Sequence, residues 1–253
     1  MPHPALNPIR IVLVEPEGPL NVGSVARVMK NMGLGQLVLV NPQCDWCGFE
    51  AKKMAVHAID ILQGAQVVET LPEALHGTQR TIATTGRDLA LPTHLERPRT
   101  ALRWLLGIPS ALVFGAEYRG LSNEELKYAQ RFVRIPSTEE YPSLNLAQAV
   151  TVCAYELYNE AIEPETTPIL TSSQASIESL EGYYKHLEAL LLRIGYLYPH
   201  TASARMEKIR RLYNRAELSA PEVSMLRGML RQVEWGLSQI PTIDDTLNET
   251  GES

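Results

Sequence analysis

An α/β protein with a mostly parallel sheet, followed by a small helical unit, is what this sequence predicts. Between Ile9 and Ala161, apolar runs of strand length alternate with stretches of helical spacing. Strands covered on both faces read as unbroken Val, Ile and Leu runs, and their alternation with helices marks crossover connections. Gly, Pro and Asn punctuate the runs, and beyond Ser176 only helical spacing survives.

Ile9-Arg-Ile-Val-Leu-Val14 is the first expected strand, and Asn21 to Met32 the first helix, with Asn21 and Ser24 as expected caps and Gly33 as its stop. Gln36 to Val40 follows as a strand closed by Asn41-Pro42. A helix is expected near Glu50 to Ile59, a strand at Gln66 to Val68, a short helix at Pro72 to Leu75 and a strand at Arg80 to Thr84. Pro98 to Leu106 reads as a helix, Ala111 to Phe114 as a strand, Asn123 to Ala129 as a helix, Phe132 to Ile135 as the last strand and Leu146 to Ala161 as the closing helix. The expected division is residues 1–161 for this domain, 162–176 for a linker rich in Glu, Pro, Thr and Ser, 177–240 for the helical extension and 241–253 for a polar tail. Helices are expected at Ile177 to Ile194, about Ser203 to Ala216, and Pro221 to Leu237. Three such helices are marginal alone and gain from packing on a partner.

With 253 residues, 45% of them hydrophobic and 21% charged, the chain can bury a sizeable core. No apolar stretch approaches the roughly 18–20 residues of a membrane span, and Met1 to Pro8 lacks the pattern of a secretion signal, so the expected location is the cytoplasm. A net charge of −6 argues against indiscriminate polyanion binding, yet nine Lys or Arg face four Glu between Lys185 and Arg231. Lys208, Arg210, Arg211 and Arg215 form a basic cluster that suggests a nucleic-acid contact, although charge alone favours a solvated helix face. Cys44-Asp-Trp-Cys47 has metal-knuckle spacing but no second ligand pair, so no metal site is expected.

In an open parallel sheet, ligands bind beyond the carboxyl ends of the strands, so the loops after Val14, Thr84, Phe114 and Ile135 should share one site. The first, Glu15 to Gly23, offers helix-start amides as an anion seat, with Arg27 either a clamp for that anion or an ordinary helix arginine. The others carry Thr84-Thr85-Gly86, Gly115 to Leu121, and Tyr141-Pro-Ser-Leu-Asn145, in which Gly115 allows close approach and Ser143 and Asn145 can cap a helix or hold a ligand. Neither a G-x-G-x-x-G fingerprint nor a Walker A loop is present.

Asn21-x-Gly-Ser-x-Ala-Arg27, Phe114-Gly-x-Glu-x-x-Gly-Leu-Ser-Asn-Glu-Glu125 and Ser143-Leu-Asn-Leu-Ala147, in this order and spacing, resemble the three motifs of the SpoU/TrmH branch of the SPOUT RNA methyltransferases. Ser179 to Glu188, Lys208 to Leu212 and Leu226 to Leu230 look like the helical extension of its TrmJ subgroup, whose members methylate ribose 2′-hydroxyls of cytidine and uridine at tRNA position 32. The resemblance implies a C-terminal trefoil knot in the sheet domain, S-adenosylmethionine as cofactor, tRNA as partner and a homodimer. It further implies cofactor contacts from Thr84, Thr85, Gly86, Gly115, Ile135, Pro142, Ser143 and Leu144. Asn21, Arg27, Glu117, Ser143 and Asn145 are the implied catalytic positions, with Arg27 also touching RNA beside the basic cluster. Ala116 departs from an arginine common among relatives, and Pro142 from a serine. The alternatives are 2′-O-methylation of another tRNA position or of ribosomal RNA, and a non-catalytic RNA-binding protein.

Overall fold

The computed structural model describes residues 3–86, 94–162 and 174–239. Seven strands make one sheet: β1 (Ile9–Val14), β2 (Gln36–Val40), β3 (Gln66–Val68), β4 (Arg80–Thr84), β5 (Leu95–Glu96), β6 (Ser110–Phe114) and β7 (Arg131–Val133). Their order is β3-β2-β1-β6-β4-β7-β5, and every pairing is parallel, with Leu13 beside Phe114 and Thr84 beside Val133. Because β1, β6, β4 and β7 are consecutive neighbours, the loops leaving their carboxyl ends emerge side by side.

Side chains alternate between the faces of a strand, and β1 divides accordingly. Ile9, Ile11 and Leu13 enter a core with α1 (Pro19–Asn31), α2 (Phe49–Ala55), α3 (Ile59–Gln63), α5 (Pro98–Ala101) and α7 (Leu146–Ile162). Val12 and Val14 enter a second core with α4 (Leu71–Ala74), α6 (Asn123–Leu126), α8 (Ile177–Arg193), α9 (Ala202–Ala216) and α10 (Ala220–Ser238). The C-terminal helices thus cover the second face of the sheet. Ile177, Leu180, Tyr183, Tyr184 and Leu187 of α8 share a core with Val38, Val40, Ala83 and Val113. Gly23 lets α1 and α2 touch: a Cβ there would lie 2.2 Å from the Ala51 carbonyl oxygen.

Several boundaries differ from expectation for physical reasons. The helix expected at Glu50 to Ile59 is split into α2 and α3, because Val56 takes a left-handed φ of 55° and ends the first. The segment Pro98 to Leu106 is α5 followed by a 3-10 turn at Leu102–Leu105. β5, two residues long, was not expected at all. Helix α1 starts at Pro19 after Gly18, so Asn21 and Ser24 lie inside it and do not cap it; Ser24 Oγ donates back to the Leu20 carbonyl. Most of the expected linker and the polar tail lie outside the described residues.

The C-terminal helices are fastened by one carboxylate. Glu217, the left-handed C-cap of α9 at φ 52°, accepts from Arg131 Nη2 at 2.7 Å, Gln174 Nε2 at 2.9 Å and Trp104 Nε1 at 3.1 Å. The guanidiniums of Arg80 and Arg131 both lie over the Trp104 ring, 4.9 and 4.6 Å from its centroid. Arg210 contributes to the same packing. It pairs with Glu181 through both terminal nitrogens and lies 4.5 Å from the centroid of Tyr184, whose hydroxyl donates to Asn214. Removing one partner of such a network leaves the others desolvated and unpaired. Glu217→Ala is therefore expected to destabilise the protein by about 2 kcal/mol or more, read from urea unfolding. A change under about 0.5 kcal/mol, the range of a neutral surface substitution, would contradict this role.

Candidate active site

The loop after β6 and the loop after β1 are joined through Glu117. Its Oε1 accepts from the Gly18 amide at 3.2 Å and from Asn21 Nδ2 at 3.1 Å, and its Oε2 from the Glu17 amide at 3.1 Å. A carboxylate at a helix N-terminus satisfies amides that have no intrahelical partner and complements the helix dipole. The protein's own carboxylate thus takes the amides of Glu17 and Gly18, just before the first helical residue Pro19, in the loop expected to seat an anion. Asn21 extends the connection, its Oδ1 accepting from Asn145 Nδ2 at 3.0 Å. Asn145 in turn caps α7, its Oδ1 accepting from the Ala147 amide at 2.9 Å. Thus Asn21, Glu117 and Asn145, far apart in sequence, form one chain of hydrogen bonds.

Beside that chain lies a cleft enclosing about 680 Å³ of empty space, its open mouth included. Thr84, Thr85, Gly86, Gly115, Ile135, Pro142, Ser143 and Leu144 all line it, with Glu117 at its rim and Phe114, Val133 and Leu146 supplying apolar wall. Thr84 Oγ1 donates to the Val113 carbonyl at 3.0 Å, and the Thr85 amide to the Val133 carbonyl at 2.9 Å, so both are partly committed to the sheet. Gly86 lies against Pro142, and a Cβ there would meet the Pro142 carbonyl oxygen at 3.7 Å, an ordinary van der Waals contact. Gly115 has a reason for being glycine. A Cβ there would lie 2.2 Å from the Gly120 carbonyl carbon, so it is the loop's own backbone that comes close. The loop closes with the Gly120 amide donating to Ala116 at 2.8 Å and Gly120 at φ 69°.

Ser143 is exposed, and its hydroxyl has no partner among the described residues. Arg27 is exposed too, lies outside the cleft lining and pairs with no described residue. Six residues along a helix turn a side chain about 120° away, so Arg27 and Asn21 leave α1 in different directions. Cys44 and Cys47 are free and half-buried; burial and the nearby charge of Glu117 push the Cys44 thiol up, so it stays protonated. Among the described residues, no three His, Cys, Asp or Glu gather as a metal site.

Sequence reasoning missed the brace beneath the Glu117 loop. Arg119 donates to both Glu125 oxygens at 2.8 Å and to Glu15 Oε2 at 2.7 Å, while Ser122 and Glu125 form a capping box on α6. The Ser122-x-x-Glu125 spacing was the legible signal. Burial pushes the Glu125 carboxyl up, but bonds from Arg119 and Ser122 outweigh it and hold the group below the ordinary carboxylate range. Elsewhere, Lys208, Arg211 and Arg215 line a groove between α9 and the sheet edge, together with Arg131 and Glu96. Arg210 is not among them, because its guanidinium is taken by Glu181, and Arg211 within the groove is itself paired with Glu207 at 2.9 Å.

Comparison with known proteins adds two family matches. Residues 8–155 match the SpoU rRNA Methylase family, and residues 178–242 match the tRNA methyltransferase TrmJ, C-terminal domain. A tRNA (cytidine/uridine/adenosine-2′-O-)-methyltransferase TrmJ from Pseudomonas aeruginosa is 43% identical over 90% of this chain and 95% of its own. A tRNA (cytidine/uridine-2′-O-)-methyltransferase TrmJ from Klebsiella pneumoniae is 41% identical over 90% of this chain and 97% of its own. The crystal structure of TrmJ from Z. mobilis superposes with a TM-score of 0.78 at 31% identity, covering 89% of this chain and 98% of that one.

The depressed Glu125 carboxyl sets the sign of a pH test. Its contribution is fully present above the ordinary value of 4.5 and is lost as pH falls through the lower folded value. The stability difference between wild type and Arg119→Met, measured by denaturant unfolding, is thus expected to be full at neutral pH and to shrink in acid. A difference independent of pH would contradict the brace.

Proposed function

The chain belongs to the SpoU methylase family and carries a TrmJ C-terminal domain, and from that premise we propose that it methylates ribose 2′-hydroxyls of tRNA using S-adenosylmethionine. The targets are cytidine and uridine, at position 32 of the anticodon loop, and the reaction belongs to the cytoplasm. The observation that carries this reading is the Glu117–Asn21–Asn145 chain, which ties three separated motifs together beside a cleft that Glu117 lines. The loops after β4, β6 and β7 that line this cleft are the segments a trefoil knot would thread.

The residues present fit the cofactor. Thr84 to Gly86, Gly115, Ile135 and Pro142 to Leu144 offer backbone groups and stand beside an apolar wall of Phe114, Val133 and Leu146, as a flat base and an amino-acid chain require. When bound there, S-adenosylmethionine supplies a methyl group activated by a sulfonium. What remains for the protein is to align the ribose 2′-oxygen and stabilise its negative charge as the proton leaves. Ser143, with its hydroxyl free at the cleft, orients the 2′-hydroxyl. Asn145 and Asn21 fix the loop that carries it. Arg27 anchors the adjacent phosphate and stabilises the developing oxyanion; a guanidinium carries donors only, so it does not act as the proton acceptor. Because Arg27 leaves α1 on a different side from Asn21, we assign it to the cleft of a partner subunit in a homodimer. Exposed Leu20 on α1 and Tyr155 on α7 offer apolar surface for that contact.

We assign the described helices of the region 177–240 as the tRNA-binding extension, with Lys208, Arg211 and Arg215 holding the phosphate backbone. Arg210, locked to Glu181, serves packing instead.

Arg27→Ala is expected to lower methyl transfer to tRNA by about 100-fold or more while cofactor affinity stays within about two-fold. Retained turnover would refute the role of Arg27. Replacing Lys208, Arg211 and Arg215 together by Ala is expected to weaken tRNA binding and reduce its salt slope by roughly two units, read from titrations at several salt concentrations. An unchanged slope would remove the basic face from the interface.

A further inference from the structure

Tyr118 presents a large aromatic ring to solvent, 65% exposed, between the residue that organises the site and the arginine that braces its loop. A scattered exposed tyrosine is ordinary, and Tyr141, at 79% exposed, has no side-chain partner among the described residues. Tyr118 differs because it is held. Arg119 Nε donates to its hydroxyl oxygen at 3.2 Å, and the guanidinium carbon lies 5.8 Å from the ring centroid. Arg119 is itself fixed by Glu125 and Glu15. A ring tied to an immobilised guanidinium loses little freedom when a ligand arrives, which is the advantage of preorganisation. Its neighbours Ala116, Glu117 and Gly120 all line the cleft, so the ring is anchored about one residue spacing, roughly 3.8 Å along the chain, from a cleft residue.

We propose that Tyr118 is the stacking platform for the base of the nucleotide being methylated, with Arg119 as its positioning residue; this rests on the tRNA-methylation reading above. Unpaired loop bases are recognised by stacking on aromatic side chains, and stacking accepts any base because each has a π face. Recognition through Tyr118 is therefore loose with respect to base identity. It holds cytidine and uridine alike, and the position of the target is set by phosphate contacts and loop shape.

The test uses full-length protein and an unmodified anticodon stem-loop RNA carrying fluorescent pyrrolocytidine at the target position. Wild type and Tyr118→Phe are expected to quench the fluorescence on binding, and Tyr118→Ala to bind without quenching. In parallel, Tyr118→Ala is expected to raise KM for tRNA by roughly 10- to 100-fold, with kcat, S-adenosylmethionine affinity and sedimentation behaviour close to wild type. Tyr118→Phe is expected to restore most of the KM. An unchanged KM in Tyr118→Ala, or quenching that persists in it, overturns the platform alone. A loss of cofactor affinity or of assembly state in Tyr118→Ala also overturns it, because the side chain would then be structural. Failure of wild type to bind any such RNA overturns the methylation reading and the platform with it.

Discussion

One carboxylate decides how the site is assembled. Glu117 accepts from two backbone amides at the start of α1 and from Asn21, a residue 96 positions earlier in the chain. Hydrogen bonds to a charged acceptor contribute on the order of 1.5–3 kcal/mol each, and desolvated donors left without a partner cost a comparable amount. Asn145 joins the network by capping α7 and holding Asn21 at once. Loops after three different strands are thereby held in one register, and the cleft they line inherits its shape from that register. A methyl transfer that depends on in-line alignment needs this kind of rigidity more than it needs an acid or a base.

A second carboxylate does the corresponding work for the fold. Glu217 lies where α9 ends and binds Trp104, Arg131 and Gln174, so the C-terminal helices are tied to the edge of the sheet near β7. Val133, the last residue of β7, lines the cleft, and Arg131, its first, lines the basic groove beside α9. The same short strand thus borders both the cleft assigned to the cofactor and the surface assigned to tRNA. The inner face of α8 supplies the apolar cover for half of the sheet, which is why this small helical unit is stable where three isolated helices would be marginal.

The strands were legible because parallel strands buried on both faces must be continuous apolar runs, and Ile9 to Val14 and Ala111 to Phe114 are such runs. Their alternation with helices also pointed to the loops beyond their carboxyl ends, because ligands collect there in such sheets. All eight positions named for the cofactor line a single cleft. What was not legible depended on tertiary partners. β5 is too short to carry a period, and the break at Val56 is a backbone conformation that no local residue pattern announces. Charge was visible at Arg210, but its burial against Glu181 and Tyr184 was not. The Glu17 and Gly18 amides just before α1 could not be paired from sequence because Glu117, their acceptor, arrives from about a hundred residues away.

The central claim is the chemistry itself, and mapping the transferred group tests it most directly. Purified protein would be incubated with labelled S-adenosylmethionine and unmodified tRNA, and the product digested with nuclease and read by mass spectrometry. The account predicts label on the ribose 2′-oxygen of a single pyrimidine at position 32. Label on a base, label outside the anticodon loop, or no transfer to any tRNA would contradict it.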